Sequence, residues 1–107
     1  MWLQKPLHSM IIVTTLIQMD IAFDPAKNET NVAKHGVSLA FAAQLDWADV
    51  LSYVDARRDY DEVREVGFGV IGDRFYCMMF KQRRDSMHII SIRKANKWEA
   101  KSYVEQP

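Results

Sequence analysis

M-H-I-I-S-I-R-K-A-N-K-W-E-A-K-S-Y, residues 87–103, runs from an apolar stretch through two cations into a basic segment. Met87, Ile89, Ile90 and Ile92 are the β-favouring run a buried strand needs. Asn96 followed three residues later by Glu99 is a capping-box signature, so a helix is predicted to start just past Arg93-Lys94. Two cations at a strand-to-helix junction make either a seat for a phosphate or a solvated charge pair at an element end. The pattern alone leaves both open.

Upstream of this strand, Lys81–Asp85 (K-Q-R-R-D) reads as a hairpin loop, and Arg74–Phe80 is apolar on both faces, as a central strand would be. Gly72-Asp73 is a turn signal joining it to Val63–Ile71. In that segment Val66, Phe68 and Val70 share a face with Arg64, while Glu65, Gly67 and Gly69 share the other. Val50–Val54 is a further strand, followed by the charged connection Asp55–Glu62. Nearer the N-terminus, Ile21-Ala22-Phe23 is a brief strand candidate. Asp24 caps a helix with Pro25 at its first position, and Gly36 stops that helix after His35. Lys27, Asn31, Lys34 and His35 recur at helical spacing along one polar face. A second helix is expected from Ser38, with Leu39, Ala42, Ala43 and Trp47 to bury. The C-terminal helix offers Ala100, Tyr103 and Val104 as its apolar stripe. The expected architecture is a small α+β domain: two helices, three or four antiparallel strands and a last helix, with helices covering one face of the sheet. Short hairpin connections argue against a parallel sheet.

Residues 1–18 read differently. Their apolar run, Met10 to Ile17, is too short to span a bilayer, and no small-residue cleavage site follows it. They are either an additional N-terminal strand or upstream sequence ahead of a start at Met19, and the second is our expectation. The domain proper is then residues 19–107.

The chain of 107 residues can bury one modest core. Its one cysteine, Cys77, lies in an apolar run, so a disulfide framework is excluded and a reducing compartment is expected. Net charge is zero, which speaks against a generic nucleic-acid binder. The distribution is uneven, however. Residues 1–62 hold five Lys/Arg against nine Asp/Glu, and residues 63–107 hold nine against five. A basic half can present a cationic face to RNA or to an acidic partner, unless the fold interleaves the two halves.

No zinc-ligand spacing, phosphate-cradling glycine loop or nucleophilic triad is present. What remains is a set of cations, Arg64, Arg83, Arg93 and Lys94, with His88, Glu62 and the pair Lys34-His35. Such a set suits metal-independent cleavage of RNA. One group deprotonates the 2′-OH, another protonates the leaving 5′-oxygen, and fixed cations stabilise the charge that builds on phosphorus. Arginine matches two phosphate oxygens at once. Blander roles stand beside these: His35 can satisfy the last helical carbonyls, and Glu62 can pair with Arg64. In a regular strand His88 and Arg93 point to opposite faces, so only a bulge would put both on one site.

The motifs F-D-P-A-K-N (23–28), K-H-G-V-S (34–38), D-A-R-R-D-Y-D-E-V-R (55–64), G-V-I-G-D-R (69–74) and I-I-S-I-R-K-A-N-K-W-E (89–99) together resemble those of the BrnT-type ribonuclease toxins. The resemblance extends from about Met19 to Tyr103. It implies a RelE-like fold, two N-terminal helices on a curved antiparallel sheet of about four strands with a C-terminal helix. It also implies a cytoplasmic, metal-independent endoribonuclease without cofactor or membrane contact, which arrests growth. A BrnA-type antitoxin would neutralise it in a complex of a toxin dimer with an antitoxin dimer, and promoter DNA would be bound through the antitoxin. Carried over, the site residues are Glu62 for proton transfer, Arg64, Arg83 and Arg93 on phosphate, and Lys34 and His35 on RNA; Lys94 stays undecided between RNA contact and surface charge. His88 stands where relatives often have Arg, Lys81 where they often have Thr, and Asp61 where Gly is usual. His88 is thus either an acid/base replacement or the mark of a weakened site, and a catalytically weakened, partner-binding module is the alternative. Trp98, in place of a basic residue, and Tyr103 are the expected anchors for the antitoxin.

Overall fold

The computed structural model describes residues 20–56 and 62–105. The N-terminal segment 1–18, and Tyr60 and Asp61 in the charged connection, lie outside the described residues.

The chain runs β1 (Asp20–Ala22), α1 (Pro25–His35), 3₁₀ helices at Leu39–Gln44 and Trp47–Asp49, β2 (Leu51–Val54), β3 (Glu65–Ile71), β4 (Arg74–Gln82), β5 (Ser86–Lys94) and α2 (Lys97–Val104). The local signals behave as their chemistry dictates. Asp24 accepts from the Ala26 N–H, Pro25 opens α1, and Gly36 closes it in the left-handed region at φ 72°. Both halves of the Asn96/Glu99 capping box form at α2. The segment after Ser38, expected as an α-helix, is 3₁₀ in two short pieces, because Leu45 turns extended and Asp46 caps a new turn.

One sheet of five strands forms in the order β1-β5-β4-β3-β2. Strands β2 to β5 are antiparallel neighbours, and β4 is central as its two-sided apolarity predicts. β1, the brief strand candidate, adds to β5 in parallel, so the sheet is mixed and not wholly antiparallel. The hairpin argument constrains only strands consecutive in sequence. β1 and β5 are joined through α1, both 3₁₀ helices and three other strands, which leaves their relative direction free.

The core lies between the sheet and the N-terminal helices. Leu39, Ala42, Met78, Phe80, Ile89 and Ile92 are almost wholly enclosed there, with Phe41, Trp47 and Val50 packed around them. The face of β3 that meets this layer is the glycine face. A Cβ on Gly69 would stand 2.7 Å from Leu45 Cδ2, and one on Gly67 2.8 Å from Phe80 Cε1. The glycines therefore let the segment from Ser38 to Val50 lie directly on β3. Val66, Phe68 and Val70 point the other way, towards α2, which leans across that second face. Tyr103 packs edge-on against Phe75 at 5.1 Å, and its hydroxyl donates to the Asp49 carbonyl. Helices thus lie on both faces, not one. Val104, expected in the apolar stripe of α2, is exposed instead.

Two further features set the sidedness of β5. Met79 pairs with Ser91 but Phe80 pairs with Ile89, so Ile90 is an extra residue, a β-bulge. Beyond the short β1, the free edge of β5 is closed by Asn31 of α1. Its side-chain amide donates to the Ile92 carbonyl at 2.8 Å and accepts from the Ile92 N–H at 3.2 Å, as a neighbouring strand would. It also donates to the Val37 carbonyl at 2.8 Å. Asn31, expected on the polar face of α1, is therefore its one buried residue, while Val32 is exposed. Replacing Asn31 by Ala strands the buried amide and carbonyl of Ile92. It should lower unfolding free energy by about 2–4 kcal/mol, measured by urea denaturation.

Candidate functional site

The bulge decides what the open face of the sheet carries. Ile89 and Ile92, three residues apart, both face the core with no exposure. His88 and Arg93, five apart, then both face α2's side of the sheet, beside Lys81 and Cys77 of β4 respectively. Alternation on β4 sends Tyr76, Met78 and Phe80 inward and Phe75, Cys77, Met79 and Lys81 to the open face.

At one end of that face, four charged or titratable side chains come together. Glu62 Oε1 accepts from Lys81 Nζ and from Arg83 Nη2, each at 3.2 Å. His88 pairs across the ladder with Lys81. Carrying the β3–β4 register one step past Glu65↔Phe80 sets Arg64 level with Lys81 in the same row. The hydrogen bond from Lys81, with the charges of Arg83 and Lys81, holds the Glu62 carboxyl below the usual carboxylate range. Burial, then the positive charges of Lys81 and Arg83, push the His88 imidazole below its ordinary value, against the opposing pull of Glu62 and Asp24. Near neutral pH the cluster is therefore a carboxylate and a neutral imidazole among fixed cations.

At the other end of the face lies a cleft of about 490 Å³, with Val66, Cys77, Met79 and Ser91 along it and Tyr53, Asp55, Arg93 and Glu99 around it. Arg93 is clamped from α2: Nη1 and Nη2 donate to the two Glu99 oxygens at 2.8 Å each. Nη1 also donates to the Lys94 carbonyl. The Glu99 bond stabilises the protonated guanidinium, and Arg93 in turn, helped by the Asn96 N–H, lowers the Glu99 pKa. Cys77 and Lys81 are four residues apart on β4, which separates the two ends by roughly 13 Å.

Of the residues expected at one site, the structure gathers Glu62, Arg83 and His88, places Arg64 just ahead of β3 on the neighbouring strand, and sets Arg93 at the far end of the same face. Lys34, His35 and Lys94 are not brought there. Lys94 borders a separate groove beside Gly36, Phe41 and Tyr76 on the helix-covered side, and Lys34 and His35 end the exposed tip of α1 next to it. Trp98 is 77% exposed on α2 with Lys101 over its ring, whereas Tyr103 is engaged inside the chain. The sequence reading treated Lys81 only as a departure from relatives, and passed over Tyr53 and the second role of Glu99. The alternation of β4 held the signal for Lys81. Nothing local ties Glu99 to Arg93. Among the described residues no three His, Cys, Asp or Glu side chains gather as metal ligands, and no helix is long and apolar enough to cross a membrane.

Residues 23–99 match the family described as "Ribonuclease toxin, BrnT, of type II toxin-antitoxin system". Among solved structures, the fold is similar to the 1.1 Å crystal structure of the Brucella abortus ribonuclease toxin, BrnT. The two are 26% identical with a TM-score of 0.51, over 74% of this chain and 99% of that one. No curated protein matches.

The depressed pKa of His88 has a consequence for stability. Because folding favours the neutral ring, the contribution is complete above the unfolded imidazole value of about 6.5 and is lost as pH falls through the folded value below it. The thermal midpoint should therefore drop between pH 7 and pH 5, and His88→Gln should flatten that slope, as followed by circular dichroism.

Proposed function

The chain belongs to the BrnT family of ribonuclease toxins of type II toxin–antitoxin systems, and from that premise we propose that it is an endoribonuclease whose cleavage centre is the Glu62–Arg64–Lys81–Arg83–His88 end of the open sheet face. The observation that carries this assignment is geometric: His88 pairs across the ladder with Lys81, which shares the Glu62 carboxylate with Arg83, on the open face of the sheet. A general base works best with a pKa near or below the working pH, so that it is unprotonated when needed. His88 meets that condition. Glu62 is the weaker base, since its carboxylate is stabilised by two hydrogen bonds; it serves to aim Lys81 and Arg83.

In this reading His88 takes the proton of a ribose 2′-OH, and the 2′-oxygen attacks the adjacent phosphorus. The bond to the 5′-oxygen breaks, leaving a 2′,3′-cyclic phosphate and a 5′-hydroxyl. Arg64, Lys81 and Arg83 stabilise the charge that builds on the phosphoryl oxygens, the leaving 5′-oxygen takes a proton from water, and the protonated ring gives its proton back to solvent. No step needs a metal. Arg93, more than one phosphodiester away, holds a flanking phosphate.

Family membership further supports a cytoplasmic setting and a BrnA-type antitoxin as the neutralising partner, in a complex of toxin and antitoxin dimers that reaches promoter DNA through the antitoxin. Trp98 is the surface residue best suited to such a partner, because a large ring at 77% exposure is an unused anchor. The second reading, a module that binds its partner but cuts poorly, draws on one observation: Arg93 is already held by a carboxylate. Incubation with end-labelled RNA in EDTA separates the two. Cleavage with cyclic-phosphate ends is expected. His88→Ala should slow it about 10²- to 10⁴-fold, in line with the loss of a general base. Dependence on added metal, or full activity in His88→Ala, would sink the mechanism. Intact RNA alongside tight antitoxin binding would establish the second reading.

A further inference from the structure

Tyr53 is an aromatic ring at 58% exposure on the edge strand β2. Its ring lies tilted by 31° against Phe68, centroids 6.4 Å apart, so one side is backed by apolar packing while much of the ring stays in solvent. It stands at the cleft that also holds Arg93 and Glu99. That cleft, about 490 Å³, is within the size range of small-ligand sites, and its lining mixes apolar Val66 and Met79 with polar Ser91, Asp55 and Glu99.

Arg93 supplies the complementary half. A guanidinium has five N–H donors. Two of the three described bonds use Nη1 and one uses Nη2, all towards Glu99 and the Lys94 carbonyl. Among the described residues, that leaves the Nε–H and the second Nη2–H, the side edge of the fork, which is the pair that fits two phosphate oxygens. Glu99 therefore fixes the orientation of Arg93 without consuming that edge. A flat ring backed on one side, facing an oriented guanidinium edge across the cleft with β3 and β4 between them, matches an unpaired nucleotide: base on the ring, phosphate on the arginine.

We propose that Tyr53 is the stacking platform of a subsite for one unpaired RNA base, whose phosphate is held by Arg93. The subsite flanks the cleavage centre and reads RNA as single-stranded, since a paired base has no face to offer. The inference rests on the open face being the RNA-binding face, and the test separates that premise from the subsite. The probe is a short single-stranded 2′-O-methyl RNA carrying 2-aminopurine, which has no free 2′-OH and stays intact. Binding to the protein should quench 2-aminopurine by stacking, and the matching duplex should not. Tyr53→Ala should weaken binding roughly 5- to 150-fold and abolish quenching, as expected for one lost base–aromatic stack. Tyr53→Phe, which keeps the ring, should retain the quenching. Thermal unfolding of each variant reports that the fold persists.

If Tyr53→Phe loses as much as Tyr53→Ala, the hydroxyl and not the ring is at work, and the proposal falls. It falls equally if Tyr53→Ala binds and quenches like the unaltered protein. A protein that cuts RNA but shows no Tyr53-dependent quenching keeps its cleavage centre and loses the subsite. One that binds the probe through Tyr53 without cutting RNA keeps the subsite and loses the cleavage reading.

Discussion

One extra residue in β5 governs which side chains share the working face. Without the bulge at Ile90, strict alternation would send Arg93 into the core if His88 stayed on the open face, or the reverse. Burying a guanidinium without its partners costs several kcal/mol, whereas a bulge forfeits little more than a ladder hydrogen bond. The core enforces the bulge from its own side. Ile89 and Ile92 are both fully enclosed and both pack under the N-terminal helices, and only an irregularity between them allows that. Asn31 then seals the backbone of Ile92 just past the bulge, where β1 no longer supplies a neighbour.

The two ends of the open face solve different electrostatic problems. At the His88 end, burial and then the charges of Lys81 and Arg83 depress the proton affinity of the imidazole. At the Arg93 end, a carboxylate stabilises a cation and fixes its direction. The second arrangement ties the working face to the helix that crosses it. Glu99 accepts from the Asn96 N–H to start α2 and simultaneously grips Arg93, so helix initiation and guanidinium orientation share one carboxylate.

Much of this was legible in the residues. Asp24-Pro25, Gly36, Gly72-Asp73 and Asn96/Glu99 each specify a local geometry through their own chemistry, and each formed where expected. The family resemblance read from the motifs agrees with the family match across residues 23–99. What sequence could not show was relative placement. Asn31 sits at polar-face spacing, yet an unpaired strand edge 61 residues away draws it inward. Lys34 and His35 belong to a recognisable motif, but α1 packs behind the sheet edge and carries them away from the cleft. The parallel β1–β5 pairing depends on two segments at opposite ends of the described chain, where no local rule applies.

The zero net charge, which counted against a nucleic-acid face, is resolved by where the acids are employed. Asp24 and Asp46 cap helical turns, Glu65 accepts from Ser52 and Gln82, Asp55 is buried, and Glu99 both caps α2 and holds Arg93. These carboxylates are committed to backbone N–H groups and near neighbours. At the His88 end, among the described residues, Glu62 accepts from both Lys81 and Arg83, two cations on one carboxylate. Phosphate feels the nearby field and not the sum over the chain, since exposed charges beyond about 8–10 Å are screened in physiological salt. A neutral composition and a local pair of cations at one end of the open face are therefore compatible once the acids are spent on building the fold.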